Sequence, residues 1–292
     1  MENISELKQR LRAVSQTRQI CNATYLLATS RMKRSLQNID YNLTYIKKLR
    51  SSIRDIIAKT YNNEVSDPFL ELNEGGKTLF FVITSDKGLC GAYNTAVVNA
   101  ALRKMEEYEG RTVLYSLGIK GTEQFIARGI TPDDNWYGAS QKPSLYLAKE
   151  VGEQIVDLYD DTTVSEVYVV YTEYVNSVVQ KPVCRRVLPL LQPDFTDIEL
   201  TENNDIPVLY EPDPEEVYNE MVPQYITGLV YDILMQSAAS ENAARMAAMQ
   251  SATKNADEMI AKLTEQINAA RQLIITNEIT EIAAALEIEG AV

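Results

Sequence analysis

Apolar residues recur at steps of three and four along both ends of the chain and in short continuous runs through its middle. Near the start, Ile4, Leu7, Leu11, Val14, Ile20, Ala23, Leu27, Met32, Leu36, Ile39, Leu43, Ile46, Leu49, Ile53, Ile56 and Ile57 keep mostly to helical spacing. No Gly or Pro interrupts them before Pro68. The pattern predicts one helix over residues 2–60, roughly 87 Å long at about 1.5 Å per residue. A second helix is predicted from Glu215 to Leu286. After Pro223 no Pro follows, and Gly228 is the only Gly before Gly290. Ala, Leu, Ile, Met, Gln and Glu dominate this stretch, and all are good helix formers. Met259, Ile260, Leu263, Ile267, Ala270, Leu273 and Ile274 mark a stripe packed along one side. The last part, Leu273 to Leu286, is apolar over more than one face. A rod of this length cannot bury itself in a compact core, so it needs a partner helix, a sleeve, or both.

Between the rods the period changes. Lys77–Thr84, Arg111–Leu117 and Glu166–Tyr174 are short apolar runs that read as buried strands. Helices are predicted over Ala92–Gly110, Thr122–Arg128 and Ser144–Tyr159. Lys181–Leu191 reads as an edge strand bounded by Pro182 and Pro189. Strands alternating with helices argue for a small α/β domain with a mostly parallel sheet. The loops 62–76 and 192–214 separate this domain from the rods. The expected architecture is thus α/β plus long helices. Residues 1–60 and 211–292 would form an antiparallel coiled-coil shaft, and residues 61–210 a central Rossmann-like α/β domain. The seven-residue repeat is imperfect in both rods, which favours a loosely wrapped pair over a strong zipper.

Charge sharpens the pairing. The net charge is −13, but residues 1–60 carry +8, residues 61–210 carry −11 and residues 211–292 carry −10. Opposite signs at the two ends attract. The basic first segment has no nucleic-acid motif, and the acidic remainder would repel phosphate. No run of 18 apolar residues marks a membrane span. The start of the chain lacks the apolar core of a secretory signal and is acidic too early for a transit peptide. Cys21, Cys90 and Cys184 are odd in number and far apart, and they read as reduced thiols. His is absent altogether, which removes the commonest general base and most zinc sites.

Candidate chemistry is sparse. Ser85-Asp86-Lys87-Gly88-Leu89-Cys90-Gly91 lies between a strand and a helix, where a glycine turn can cradle phosphate. It is neither a Walker loop nor a dinucleotide fingerprint, so a tight turn is the simpler reading. Lys120, between Gly118 and Gly121, is a similar case. Cys90 sits at the helix start but has no His or second Cys nearby in sequence. The pairs Asp133-Asp134 and Asp160-Asp161 read as solvated loop residues. Arg245 and Arg271 are two of the four basic residues after Pro214. Each is either a surface residue with its stem laid along the helix or a contact to acidic loops of a partner.

These stretches together resemble the γ subunit of F-type ATP synthases. The resemblance rests on Ser240-Glu241-Asn242-Ala243-Ala244-Arg245-Met246-Ala247-Ala248-Met249-Gln250-Ser251-Ala252-Thr253-Lys254-Asn255-Ala256 and on 268–282, which begins Asn268-Ala269-Ala270-Arg271-Gln272. Thr84 to Asn94 and Tyr210-Glu211-Pro212 match the family as well. The resemblance implies a non-catalytic central shaft inside a ring of α and β subunits, with the α/β domain against the ε subunit and the c-ring. It implies no catalytic residue, cofactor, metal or nucleic acid, and a peripheral position at the cytoplasmic face of a bacterial membrane. Arg245, Arg271, Gln272, Thr276 and Glu278 would contact the α/β ring. The turn with Asp86, Lys87, Gly88 and Gly91 would lie near ε and the c-ring. The sequence departs from the family in three places. Gln19–Leu27 replaces a basic, Met-containing segment, Ala269 stands where Arg is common, and the tail Glu287–Gly290 is acidic. The paired cysteines of the chloroplast form are absent, as expected of a bacterial form. Two other readings fit the elements alone: an α/β enzyme with a helical dimerisation arm that binds a small molecule at Ser85–Gly91, and a free-standing coiled-coil tether.

Overall fold

The computed structural model describes residues 4–60, 69, 75–108, 110–138, 140, 143–160, 163–190, 210, 211 and 213–289. The predicted loops around Asn62–Asp67 and 192–209, and Asp161, lie outside the described residues. The elements run α1 (Ile4–Thr60), β1 (Lys77–Ile83), α2 (Tyr93–Met105), β2 (Thr112–Leu117), α3 (Ile119–Ile126), β3 (Asp134–Trp136), α4 (Leu145–Asp160), β4 (Val164–Tyr174), β5 (Gln180–Leu188) and α5 (Pro214–Glu289). Among the described residues no helix is long and apolar enough to cross a membrane. Contacts divide the chain into two units, one of residues 1–27 with 246–292 and one of residues 28–245.

The larger unit holds a five-stranded sheet in the order β3-β2-β1-β4-β5. Its first four strands in that order are parallel, and β5 runs antiparallel to β4 at the edge. β1 is the central strand and is buried on both faces after Lys77, as parallel strands covered by helices are. Its period of two divides the core. Leu79, Phe81 and Ile83 enter a cluster with Ile53 and Ile56 of α1, Val151 and Ile155 of α4, and Tyr218, Ile226 and Ile233 of α5. Phe80 and Val82 enter a second cluster with Val97, Val98 and Ala101 of α2 and Phe125 of α3. In that second layer Phe80 stacks on Tyr168 at 5.6 Å and meets Tyr108 edge-on at 5.7 Å.

α5 starts where its cap is supplied. The Asp213 carboxylate accepts hydrogen bonds from the Glu215 and Glu216 amides at 2.8 and 3.1 Å, satisfying donors that a helix start leaves free. Pro223 lies inside the helix. Within this unit α1 and α5 run antiparallel side by side. Asn38 faces Met235, Asn42 Nδ2 donates to the Gly228 carbonyl at 3.0 Å, and Tyr45 reaches Gln224.

The smaller unit pairs the start of α1 with the far part of α5, and its less exposed positions follow a seven-residue repeat. In α5 the positions turned from solvent are Met249, Thr253, Ala256, Ile260, Leu263, Ile267 and Ala270, at alternating steps of four and three. In α1 they include Ile4, Leu7, Leu11, Val14, Cys21 and Tyr25, while Arg18, at the intervening step, is exposed. Arg18 forms an ion pair with Asp257 there. This is the heptad geometry of a two-helix seam. Met259, expected on the packed stripe, is instead 56% exposed.

Two further expectations change. Of the pair Asp133-Asp134, Asp133 is an exposed loop residue as expected, but Asp134 is half-buried in a strand. Asp133 accepts a hydrogen bond from the Leu114 amide at 2.8 Å, and Asp134 opens β3. β3 has only three residues, two of them polar, so it gave no periodic signal. Pro182 lies inside β5 opposite Thr172 rather than at its end. Edge position makes this possible, because one side of the strand needs no donor.

Gly118 joins β2 to α3 at a φ of 105°, and a Cβ there would overlap the backbone and side chain of Thr84. Thr84 in turn donates to the Leu117 carbonyl at 3.0 Å and accepts from the Gly121 amide at 3.0 Å. Gly118→Ala is expected to cost about 2 kcal/mol or more through a strained φ and the overlap. Urea unfolding of the full chain measures this, and an unchanged midpoint would contradict it.

Candidate functional site

The junction of β1 with α2 is where most sequence-predicted residues meet. Ser85 to Gly91 turns the chain, with Leu89 at φ 62° and Gly91 at φ 59°. Leu89 is left-handed without being glycine, a sparsely used conformation that persists only where surroundings enforce it. Here they do. The Ser85 amide donates to Asn94 Oδ1 at 2.9 Å, and Ser85 Oγ donates to the Lys87 carbonyl at 2.7 Å. Asp86, buried, accepts from the Ile119 and Gly138 amides at 3.2 and 3.0 Å and from Ser140 Oγ at 2.7 Å. The Asp86 amide itself donates to Ser140 Oγ at 2.8 Å. The Lys120 amide is taken by the Ser85 carbonyl.

α5 closes the site from the other side. Arg245 Nη2 donates to the carbonyls of Lys87 and Gly88 at 3.1 and 3.2 Å. The same nitrogen is 2.7 Å from Glu241 Oε1. Both residues are nearly inaccessible, at 8% and 9% exposure. Burial pushes the Glu241 carboxyl up, and the Arg245 guanidinium opposes that rise. Tyr93, also buried, shares a 2.9 Å hydrogen bond with Ser237 Oγ, and burial raises its phenol.

Several bonded amides and two carboxylates around Ser85–Gly91 favour a tight turn over a phosphate cradle. The amides of Ser85, Asp86, Ile119, Lys120 and Gly121 are already bonded. The carboxylates of Asp86 and Glu241 would repel an anion. Cys90 is buried, and its thiol is pushed up from its ordinary value, chiefly by desolvation. A raised thiol holds little thiolate and is a poor nucleophile. Cys184 is likewise pushed up by burial, to about 11. Lys120 pairs at the surface with Glu123 at 2.7 Å. Among the described residues no His, Cys, Asp and Glu cluster could hold a metal.

The other expected contacts separate from this site. Arg271, Gln272, Thr276 and Glu278 are exposed on the far part of α5, and Thr276 Oγ1 donates only to its own helix, at the Gln272 carbonyl. Lys87 and Gly91 are exposed, whereas Asp86 and Arg245 are buried. The buried Glu241–Arg245 pair was not anticipated, although its spacing of four was a usable signal. The carbonyls it reaches are more than 150 residues away and left no trace in sequence.

Comparison with known proteins follows the geometry. The sequence model described as ATP synthase matches residues 3–287. The ATP synthase gamma chain of Halothermothrix orenii is 35% identical over 287 residues, covering 98% of this chain and 99% of its own. That of Symbiobacterium thermophilum is 37% identical over 283 residues and covers 96% of each. A chain of the Euglena gracilis mitochondrial ATP synthase, solved as the OSCP/F1/c-ring part, superposes with a TM-score of 0.64 at 19% identity, covering 99% of this chain and 95% of that one. The fold, a mixed five-stranded sheet with a long helix at each end of the chain, is shared with that chain. The chain belongs to the ATP synthase gamma chain family.

A second buried acid on α5 yields a pH test. Asp232 is 8% exposed, and its Oδ1 has no hydrogen-bond partner. Its Oδ2 accepts from Gln236 at 3.1 Å. Burial raises its carboxyl, Gln236 and Arg185 oppose the rise, and Glu173 adds to it. A carboxyl raised in the folded state binds its proton more tightly there. Its stabilising contribution is therefore complete in acid and is lost as pH climbs through the raised value. Asp232→Asn removes that loss. From about pH 4 to neutrality, the urea midpoint of the variant is expected to gain steadily on the parent. A constant difference across that range would contradict the assignment.

Proposed function

We propose that this chain is the central rotor shaft of an F-type ATP synthase. It would couple rotation driven by transmembrane ion flow to conformational change at the catalytic β subunits, without catalysing a reaction itself. The observation that carries the reading is the far part of α5. Leu273, Ile274, Ile275, Ile279 and Ile282 are 43–62% exposed, on a helix that the chain itself leaves uncovered there. A helix apolar on several faces is unstable in water without a sleeve. A ring of α and β subunits is such a sleeve. Because the surface inside it is uneven, each orientation would favour a different β conformation through differential contacts.

In this reading residues 1–60 and 211–292 are the shaft and residues 61–210 the head. Arg271, Gln272, Thr276 and Glu278 are exposed beside the aliphatic surface and would contact the ring. Arg245 would act at the ring only through its α5 backbone or after release from its internal partners. The turn at Asp86, Lys87, Gly88 and Gly91 would face the ε subunit and the c-ring. The relatives named gamma chain and the Euglena F1/c-ring complex support these partners. The complex would lie peripherally on the cytoplasmic face of the bacterial membrane.

Purification of tagged chain from its native membranes tests the proposal. Recovery of α, β and ε with ATPase activity is expected. Ile279→Asp places a charge where the sleeve must close, and it is expected to lower the recovered ATPase by about tenfold or more. Unchanged thermal unfolding of the isolated variant would show that the head is intact. Recovery of the chain alone, as a homo-oligomer, would overturn the rotor reading.

A further inference from the structure

The turn at Ser85–Gly91 is both strained and supported from outside itself. Leu89 is left-handed and 67% exposed. Lys87 beside it is exposed as well. A tip of this kind should relax or fray unless its carbonyls are held. Three hydrogen bonds from two donors converge on two of them. Ser85 Oγ and Arg245 Nη2 bond the Lys87 carbonyl, and Arg245 Nη2 also bonds that of Gly88. Of these donors only Arg245 comes from another element. It is aimed by Glu241 one turn earlier on α5 and lies 3.5 Å from Asn242 Oδ1. Each member of this set is at least nine-tenths buried, so water does not compete for its hydrogen bonds, and charge-assisted bonds are the stronger for that.

We propose that Arg245 is an internal clamp that ties α5 to the Ser85–Gly91 turn, with Glu241 as the positioning residue that holds the guanidinium against the two carbonyls. Displacement of this turn of α5 then moves the exposed tip at Lys87–Leu89 with it, and the tip keeps its strained shape only while the clamp is made. The geometry needed is wholly within this chain, so the proposal stands whether or not the rotor reading does.

The turn carries its own reporter. Cys90 is 2% exposed and sits against Ser85 and Asn94, so opening of the turn uncovers its thiol. In the full chain with Cys21→Ser and Cys184→Ser, Cys90 is the sole thiol. Its rate of reaction with a small maleimide is measured under native conditions, alongside amide exchange of residues 85–91. Arg245→Ala is expected to raise the labelling rate by about tenfold or more, as loss of charge-assisted hydrogen bonds opens a local unit. Arg245→Lys keeps the charge beside Glu241 but not the forked reach, and it is expected to give an intermediate rate. Glu241→Ala should raise the rate in the parent and add nothing in the Arg245→Ala background, because Glu241 acts through Arg245. A merely structural pair would instead add. If Arg245→Ala does not fold, Arg245→Lys carries the test alone. Labelling within about twofold of the parent in either folded variant, with unchanged exchange over 85–91, overturns the clamp.

Discussion

One constraint governs this chain: a single helix must serve three different surroundings. From Tyr218 to Leu234, α5 supplies core residues to the layer against the sheet, among them Tyr218, Val222, Ile226 and Ile233. From Leu273 to Ile282 it exposes aliphatic side chains to solvent. Between these stretches a narrow seam of Met249, Ala256 and Leu263 buries one edge only. Propensity is high throughout, so the backbone does not change. What changes is the width of the apolar surface, and with it the partner each stretch requires: a sheet, then one helix, then a surface the chain itself does not provide.

The sheet is built to receive the first of these. β1 is buried on both faces, and its alternate residues divide between a layer shared with α1, α4 and α5 and a layer shared with α2 and α3. Its C-terminal end leads directly into the Ser85–Gly91 turn. The turn is then satisfied by Asp86, Asn94 and Arg245 rather than by solvent. This part of an α/β sheet is where a ligand is commonly bound. Here the amides of Ser85, Asp86, Ile119, Lys120 and Gly121 are bonded within the protein, and the carboxylates of Asp86 and Glu241 face the same space.

Much of this was legible in sequence. Both long helices, the strands β1, β2 and β4 and the edge strand β5 follow from hydrophobic period, because each is long enough or apolar enough to show it. The coiled-coil seam was faint in sequence because Arg18, Cys21, Thr253, Ala256 and Ala270 occupy positions where large aliphatics would have advertised it. β3 was invisible because Asp134, Asn135 and Trp136 are too few to show a period. The loop reading failed for Asp134 because a carboxylate that accepts internal hydrogen bonds looks in sequence like one in water. Arg245 was divided evenly between surface and partner. In the structure it is buried and bonded to the Lys87 and Gly88 carbonyls, and long-range carbonyl acceptors have no sequence signature.

The account stands or falls on whether this chain turns within a ring of α and β subunits. Val178 is 85% exposed in the head and offers a point of attachment. With Val178→Cys as the only reactive thiol, a bead is coupled to the head of a complex of this chain with its α and β subunits, which is fixed to glass through β. On addition of ATP the bead is expected to turn continuously in one direction, and to stop when ATP is removed. ATP hydrolysis at a normal rate beneath a bead that only fluctuates about one position would contradict the account.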